Sequence, residues 1–358
     1  MKIAIVIGTR PEIIKMSPVI RELVRRKMDY FTIHSGQHYS YNLDRVFFEQ
    51  LELPEPVYNL EVGSGSHAYQ TAGVLTGVED ILNKENPDVV LVEGDTNTVL
   101  AAALAAVKLH IKVGHVEAGL RSYDRSMPEE INRILTDHAS DYLFAPTDNA
   151  REILLDEGIS EGRVYVTGNT IVDAVNENLE IAAKKDASGA FPDIKKGEYL
   201  LATLHRQENV DNRERFASIL EGMGKVAREF DMPVIYPIHP RARKNMTGFG
   251  LGAEGITLIE PVDFLEFLRL ESNARLVLTD SGGVQEETCI LGVPCVTLRE
   301  NTERPETVTA GSNVIAGYSA ESIVNCTRIM MVLKAGWVNP FGDGRAGERI
   351  VSILEENL

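Results

Sequence analysis

Short runs of β-branched and other apolar residues alternate with longer amphipathic stretches through most of this chain. That alternation predicts βαβ units and parallel sheets, because strands covered on both faces are apolar throughout while their crossover helices are apolar on one side only. In the first half the pattern predicts strands at residues 2–7, 30–34, 88–93, 112–116, 141–145 and 163–167. Helices are predicted at 11–27, 66–83, 98–108, 128–138 and 149–157. Pro11 suits a first helical turn, where its missing N–H is not needed. The stretch 184–197 is polar and holds glycine and proline, so it reads as an exposed connection. A second series then predicts strands at 199–204, 233–238, 256–259, 275–279 and 295–298, with helices between them. Residues 346–357 regain helical periodicity.

The fold class expected is α/β, as two Rossmann-like domains with parallel sheets facing a central cleft. A chain of 358 residues is too long for one core at roughly 100–200 residues per domain. No apolar run approaches the ~20 residues that span a bilayer. The opening MKIAIVIGTRPE loses its apolar character at Gly8 and meets Arg10 and Glu12, so it reads as a first strand rather than a signal peptide. Cys289, Cys295 and Cys326 have neither CxxC nor zinc spacing, and their odd number argues against a disulfide framework, which makes the cytoplasm the expected compartment. The 53 acidic residues against 36 basic ones give a net charge of −17, which disfavours nucleic-acid and anionic-membrane surfaces. An anionic substrate would have to be held by a few local cations and backbone amides.

Candidate chemistry sits where predicted strands end, the place at which open α/β sheets bind ligands. Asp95 and Glu117 follow two such strands, and Glu129 opens the helix that comes next, with Arg133 one turn on. These carboxylates are the proton-transfer candidates. For Glu129 the competing reading is a helix-start acid favoured by the dipole, paired with Arg133 at i+4 for about 0.3–0.5 kcal/mol. Gly8-Thr9-Arg10-Pro11-Glu12, with Lys15, offers an anion site after the first strand. Its single glycine is not a dinucleotide fingerprint, so no nicotinamide cofactor is expected. Asp280-Ser281-Gly282-Gly283 is the second anion site, with Ser281 as cap and Glu286 or Glu287 placed to accept from a ribose diol. A plain capping pattern is the alternative for it. His205 and Arg206 end one predicted strand and His239 and Arg241 another; with Arg304 they would give local positive potential. The scattered histidines have no metal-ligand spacing, and there is no GxSxG, P-loop or kinase signature, so no metal is expected.

The runs GTRPEIIKMSP, EGDTNT, HVEAGLRS, MPEEINR, GNTIVDA, TLHRQEN, DSGGVQEE and NTERPETV together resemble the non-hydrolysing UDP-N-acetylglucosamine 2-epimerases, in the family's order and over nearly the whole chain. The resemblance implies the GT-B arrangement, a homodimer, and interconversion of UDP-N-acetylglucosamine with UDP-N-acetylmannosamine for cell-surface glycan synthesis, with no metal or other cofactor. It implies an N-terminal domain at 1–168 carrying the acid/base groups, a UDP-binding domain at 169–343, and a helix at 344–358 packing back on the first. By motif, Asp95, Glu117, Glu129 and His205 become the expected catalytic residues. Arg10, Lys15, Arg133, Arg206, Ser281, Gly282, Gly283, Glu287 and Arg304 become the expected binders of the UDP-sugar. The implied route is loss of UDP to 2-acetamidoglucal followed by re-addition. The run Gln37-His38-Tyr39-Ser40-Tyr41 departs from bacterial members, which carry GQH, Arg and a polar residue in a region associated with activation by substrate. HYSYNLD is similar instead to relatives acting on other UDP-2-acetamido sugars. A hydrolysing 2-epimerase, an epimerase of another such sugar, a GT-B glycosyltransferase and a silent nucleotide-sugar binder stay open at this point.

Overall fold

The computed structural model describes residues 1–36, 41–184, 195–333 and 336–358. Most of the expected connection at 184–197, and the departing run Gln37-His38-Tyr39-Ser40, lie outside them. The chain divides into one unit of Met1–Glu177 with Phe341–Leu358 and a second of Asn178–Pro340.

The first unit is built on a sheet of parallel strands: β1 (Lys2–Ile7), β2 (Asp29–His34), β3 (Tyr58–Asn59), β4 (Val89–Glu93), β5 (Lys112–Val116), β6 (Tyr142–Ala145) and β7 (Val164–Val166). Their order is β3-β2-β1-β4-β5-β6-β7. Helices cover both faces, which is why β4 is buried from end to end and reads as an unbroken apolar run up to Glu93. The six predicted strands are present. β3, with two residues, is too short to leave a periodic signal, and the helix Tyr41–Gln50 was not anticipated. Side-chain caps start several helices where the sequence offers them: Ser66, Thr96 and Thr147 each accept a backbone N–H three residues on.

The second unit repeats the plan with β8 (Leu200–Thr203), β9 (Val234–Pro237), β10 (Ile256–Ile259), β11 (Leu276–Thr279), β12 (Cys295–Thr297) and β13 (Asn313–Ile315), ordered β10-β9-β8-β11-β12-β13 and parallel throughout. Phe216, Ile219 and Met223 on the helix Arg213–Phe230 are wholly buried in the core that covers β8 and β9. At about 2–3 kcal/mol for each large apolar side chain removed from water, such contacts hold the helices to the sheet. β13 was not among the predicted strands.

Each sheet therefore reverses its strand order once, between β1 and β4 in the first and between β8 and β11 in the second. Loops at those two places leave the carboxyl ends of neighbouring strands in opposite directions, which opens a crevice. Within the first unit the segment Phe341–Leu358 completes the fold. The Phe341 carbonyl accepts from Asn169 N–H at 2.8 Å, and the Asp173 carboxylate accepts from the amides of Ala346 and Gly347 at 3.2 and 2.9 Å. The helix Ala346–Asn357 lies so close to Arg10–Arg26 that a Cβ on Gly347 would come within 3.0 Å of the Pro18 backbone.

Candidate active site

In the first unit, three loops at the switch point carry the candidate groups. Gly8 turns the chain from β1 into the helix Arg10–Arg26, and it must be glycine, since a Cβ would collide with Ser35 Oγ and Thr98 Oγ1. Its N–H, expected from the sequence to face an anion, is already taken by Glu12 Oε2 at 2.5 Å. Thr9 Oγ1 donates to the other oxygen at 3.0 Å. Burial pushes the Glu12 carboxyl up to about 7, against hydrogen bonds from Thr96, Gly8 and Thr9 that act the other way. Arg10 is exposed, with its guanidinium 5.9 Å from the centre of the Phe47 ring.

Lys15, one turn into that helix, reaches Glu117 in a close ion pair and has Glu93 Oε1 at 3.5 Å. Glu117 leaves β5 with φ at +69°, a left-handed conformation that costs a residue with a side chain about 1–3 kcal/mol. Strain of that size persists where surrounding contacts enforce it, and here the Lys15 pair and the Phe144 carbonyl's bond to Ala118 N–H fix both ends of the turn. Asp95 follows β4 and pairs with Arg133. Arg133 also binds Glu130 at 3.1 Å, so the anticipated i+4 pair with Glu129 is replaced by a pair with Glu130 at i+3 and by the long-range bond to Asp95. Glu129 stands half-buried in the first turn of Pro128–Ala139 and has no ion-pair partner among the described residues. Of the three candidate acids, two are thus held against cations and one is not.

In the second unit, His205 and Arg206 leave β8 beside Asp280, which leaves β11. Asp280 is fully buried and accepts from the His205 and Arg206 amides at 3.1 Å and from Asn209 Nδ2 at 3.1 Å. Its Oδ1 also faces His205 Nδ1 at 3.1 Å. That partner directs the imidazole's Nε2 away from the carboxylate. Ser281 Oγ caps the helix Gly282–Leu291 by accepting from Val284 N–H. Gly282 and Gly283 are not demanded by packing or by backbone: neither has a positive φ, and added Cβ atoms would meet nothing closer than 3.5 and 3.9 Å. They leave the helix start bare.

Glu286 is buried and paired with Arg304 at 2.7 Å, which commits it to the protein. Glu287 has an acidic neighbour, Glu271, whose carboxyl is raised well above its ordinary range by burial first and by Glu287 second. Arg206 approaches Glu303 at 3.6 Å. Burial would push Glu303 up, but Arg299, Arg206 and Arg304 outweigh it and hold it below the usual carboxylate range. His239 and Arg241 are not part of this cluster. His239 accepts from the Arg241 amide as a helix cap, and the Arg241 side chain pairs with Asp211.

Sequence reasoning gave no role of their own to Glu12 and Asp280, which stood inside the two anion-site runs, and passed over Glu93; all three are at most 2% exposed. It also passed over Asp137, which lies beneath the Glu117 turn, accepts from Gly119 N–H at 3.2 Å and faces His115 Nδ1 at 2.6 Å. For Glu93 and Asp280 the available signal was a charge at the end of an apolar strand run; Glu12 and Asp137 lie in helices and gave no such signal. Among the described residues no three His, Cys, Asp or Glu side chains come together as ligands for a metal ion, and no helix is long and apolar enough to cross a membrane.

Comparison with known proteins gives the same direction. A family model described as UDP-N-acetylglucosamine 2-epimerase matches residues 21–355. The UDP-N-acetylglucosamine 2-epimerase of Methanocaldococcus jannaschii is 56% identical over 361 residues, covering 99% of each chain. The UDP-2,3-diacetamido-2,3-dideoxy-D-glucuronate 2-epimerase of Pseudomonas aeruginosa is 41% identical over 358 residues, again covering 99% of each. A crystal structure of the M. jannaschii UDP-GlcNAc 2-epimerase in complex with UDP-GlcNAc and UDP superposes over 100% of both chains with a TM-score of 0.88.

Proposed function

Because the chain belongs to the UDP-N-acetylglucosamine 2-epimerase family, we propose that it reversibly converts UDP-N-acetylglucosamine to UDP-N-acetylmannosamine without net hydrolysis. The hydrogen on the sugar's second carbon has no adjacent carbonyl to acidify it. Departure of UDP with the electrons of its bond to the first carbon leaves an oxocarbenium-like centre, and the neighbouring C–H then becomes acidic enough for a carboxylate. Removal of that proton gives 2-acetamidoglucal and UDP. Return of a proton to the opposite face, with the UDP oxygen re-forming its bond, yields the epimer. Nothing is oxidised and no water is consumed.

In this reading Asp95, Glu117, Glu129 and His205 handle protons. Arg10, Lys15, Arg133, Arg206, Ser281, Gly282, Gly283, Glu287 and Arg304 hold the UDP-sugar and steady the departing diphosphate. The observation that supports it is the unlike pairing of the three acids of the first unit: Glu117 is tethered to Lys15 and Asp95 to Arg133, while Glu129 is unpaired among the described residues. Opposite faces of a sugar ring need different acid/base groups. A homodimer in the cytoplasm belongs to the same reading, supported by family likeness.

Incubation with UDP-N-acetylglucosamine in deuterated water, followed by NMR, tests the proposal. The expected product is UDP-N-acetylmannosamine with deuterium at position 2. Free N-acetylmannosamine with UDP would mean hydrolysis, and bound but unchanged UDP-sugar would mean a binding protein. The 41% identical Pseudomonas relative favours one competing substrate. The same assay with a UDP-2,3-diacetamido uronate would reassign the sugar if its kcat/KM were the greater.

A further inference from the structure

Glu93 is the last residue of β4, its side chain is 2% exposed, and it has no part in the roles given so far. Among the described residues its Oε1 accepts no hydrogen bond, and it lies 3.5 Å from Lys15 Nζ, at ion-pair rather than hydrogen-bond reach. Lys15 sits closer to Glu117. The groups facing Glu93 are Lys15 and Glu12 from the helix Arg10–Arg26, Glu117 from the turn after β5, and Asp95 two residues further along its own strand end. Asp95 already has Arg133. Among the described residues, the cations that the ion pairs bring to these four carboxylates are Lys15 and Arg133, so ionising all four would leave buried negative charge in excess, an arrangement that folded proteins avoid by keeping protons.

The geometry points to Glu93 as a positioning residue: a carboxylic acid kept neutral at the floor of the acid cluster, so that the single Lys15 ammonium remains with Glu117. This rests on the proton-transfer role proposed for Glu117. Burial acts most strongly on Glu93, raising its carboxyl well above the ordinary range; Lys15 opposes this, while Glu117, Glu12 and Asp95 reinforce it. Loss of the Glu93 proton would have two effects on Glu117. It would draw Lys15 away from the Glu117 carboxylate, and it would place a second negative charge beside the group that must take and return a proton. Turnover would then fall on the alkaline side even though no Glu93 atom touches the sugar. Since the group impaired is the proton-transfer acid Glu117, the fall is read in kcat; KM shifts only as far as Lys15, counted among the UDP-sugar binders, moves with it.

The test uses the whole purified chain. Infrared difference spectra of the ligand-free protein, wild type against Glu93→Gln, should show at neutral pH a protonated-carboxyl band that the variant lacks. Raising the pH should abolish that band in the wild type. The alkaline limb of kcat for UDP-N-acetylglucosamine should begin at the same pH and be absent in Glu93→Gln. One pH unit beyond it, the ratio of variant to wild-type kcat should be about tenfold higher than at neutral pH. Lys15→Met supplies a second readout should Glu93→Gln not fold, because removal of the ammonium should move the band's disappearance to higher pH. No protonated Glu93 band at neutral pH, or an unchanged alkaline limb in Glu93→Gln, would overturn the inference. If the wild type does not epimerise at all, the proposed function fails separately, and the infrared titration still decides where the Glu93 proton resides.

Discussion

His205 Nδ1 lies 3.1 Å from Oδ1 of Asp280, a carboxylate that also accepts the backbone amides of His205 and Arg206. One buried acid therefore sets both the ring orientation and the strand-end turn that carries it. Asp280→Asn keeps the shape but turns an amide toward donors and removes the charge facing Nδ1. The expected result is a fall in kcat of about 10–100-fold, by analogy with the loss of carboxylates that orient metal-ligating histidines. Stability should drop by about 1–3 kcal/mol from the mispaired amides. A double-mutant cycle checks the link: in a His205→Ala background the Asp280→Asn effect on kcat should largely vanish while the stability loss remains.

Gly283 permits a cleaner separation of folding from binding. An added Cβ would meet nothing nearer than Ser281 Oγ at 3.9 Å, and the residue lies inside a helix with no positive φ. Gly283→Ala should leave stability unchanged or raise it by about 0.4–1 kcal/mol, the usual gain for alanine over glycine in a helix. If UDP approaches the bare helix start, the same methyl should weaken its binding about tenfold or more. Calorimetric titration with UDP, set beside thermal unfolding, measures both; unaltered UDP affinity would remove Gly283 from the binding set.

Glu12 makes stability depend on pH in a defined direction. Its folded-state carboxyl is raised from 4.5 to about 7, chiefly by burial, so between those values the native protein holds a proton that the unfolded chain has lost. Stability from this group is fully present below pH 4.5, declines as pH rises through about 7, and is level above that. The span corresponds to roughly 3 kcal/mol as an order of magnitude. Urea unfolding at intervals from pH 5 to 8 should show the wild type losing stability relative to Glu12→Gln, whose amide cannot ionise. A constant difference between the two would contradict the assignment.

What the sequence disclosed follows from how strongly each feature is repeated along the chain. Strands buried on both faces announce themselves as apolar runs, and the loop acids Asp95 and Glu117 stood out because they interrupt such runs. β3 spans two residues, too few for any period to register, and β13 contributes just Val314 and Ile315 as apolar residues after Ser312 and Asn313. Glu93 was absorbed into its strand, because a single acid at the end of VVLVE looks like a boundary until the ammonium of Lys15 is brought beside it. His239 and Arg241 show how local partners can claim such residues. Their position after β9 matched that of His205 and Arg206, but a proline-started helix and the nearby Asp211 provide local partners that use them up. Pairings such as His115 with Asp137, 22 residues apart, depend on three-dimensional closure and leave no trace in spacing.

The return of Phe341–Leu358 to the first unit sets an order of assembly during translation. Asp173, Asn169 and the Pro18 surface of the helix Arg10–Arg26 wait for partners that the ribosome delivers only after the whole of Asn178–Pro340 has emerged. Domains commonly mature in the order in which they are synthesised. Here the later half can reach its native state first, and the acid-bearing half, although begun earlier, is sealed second.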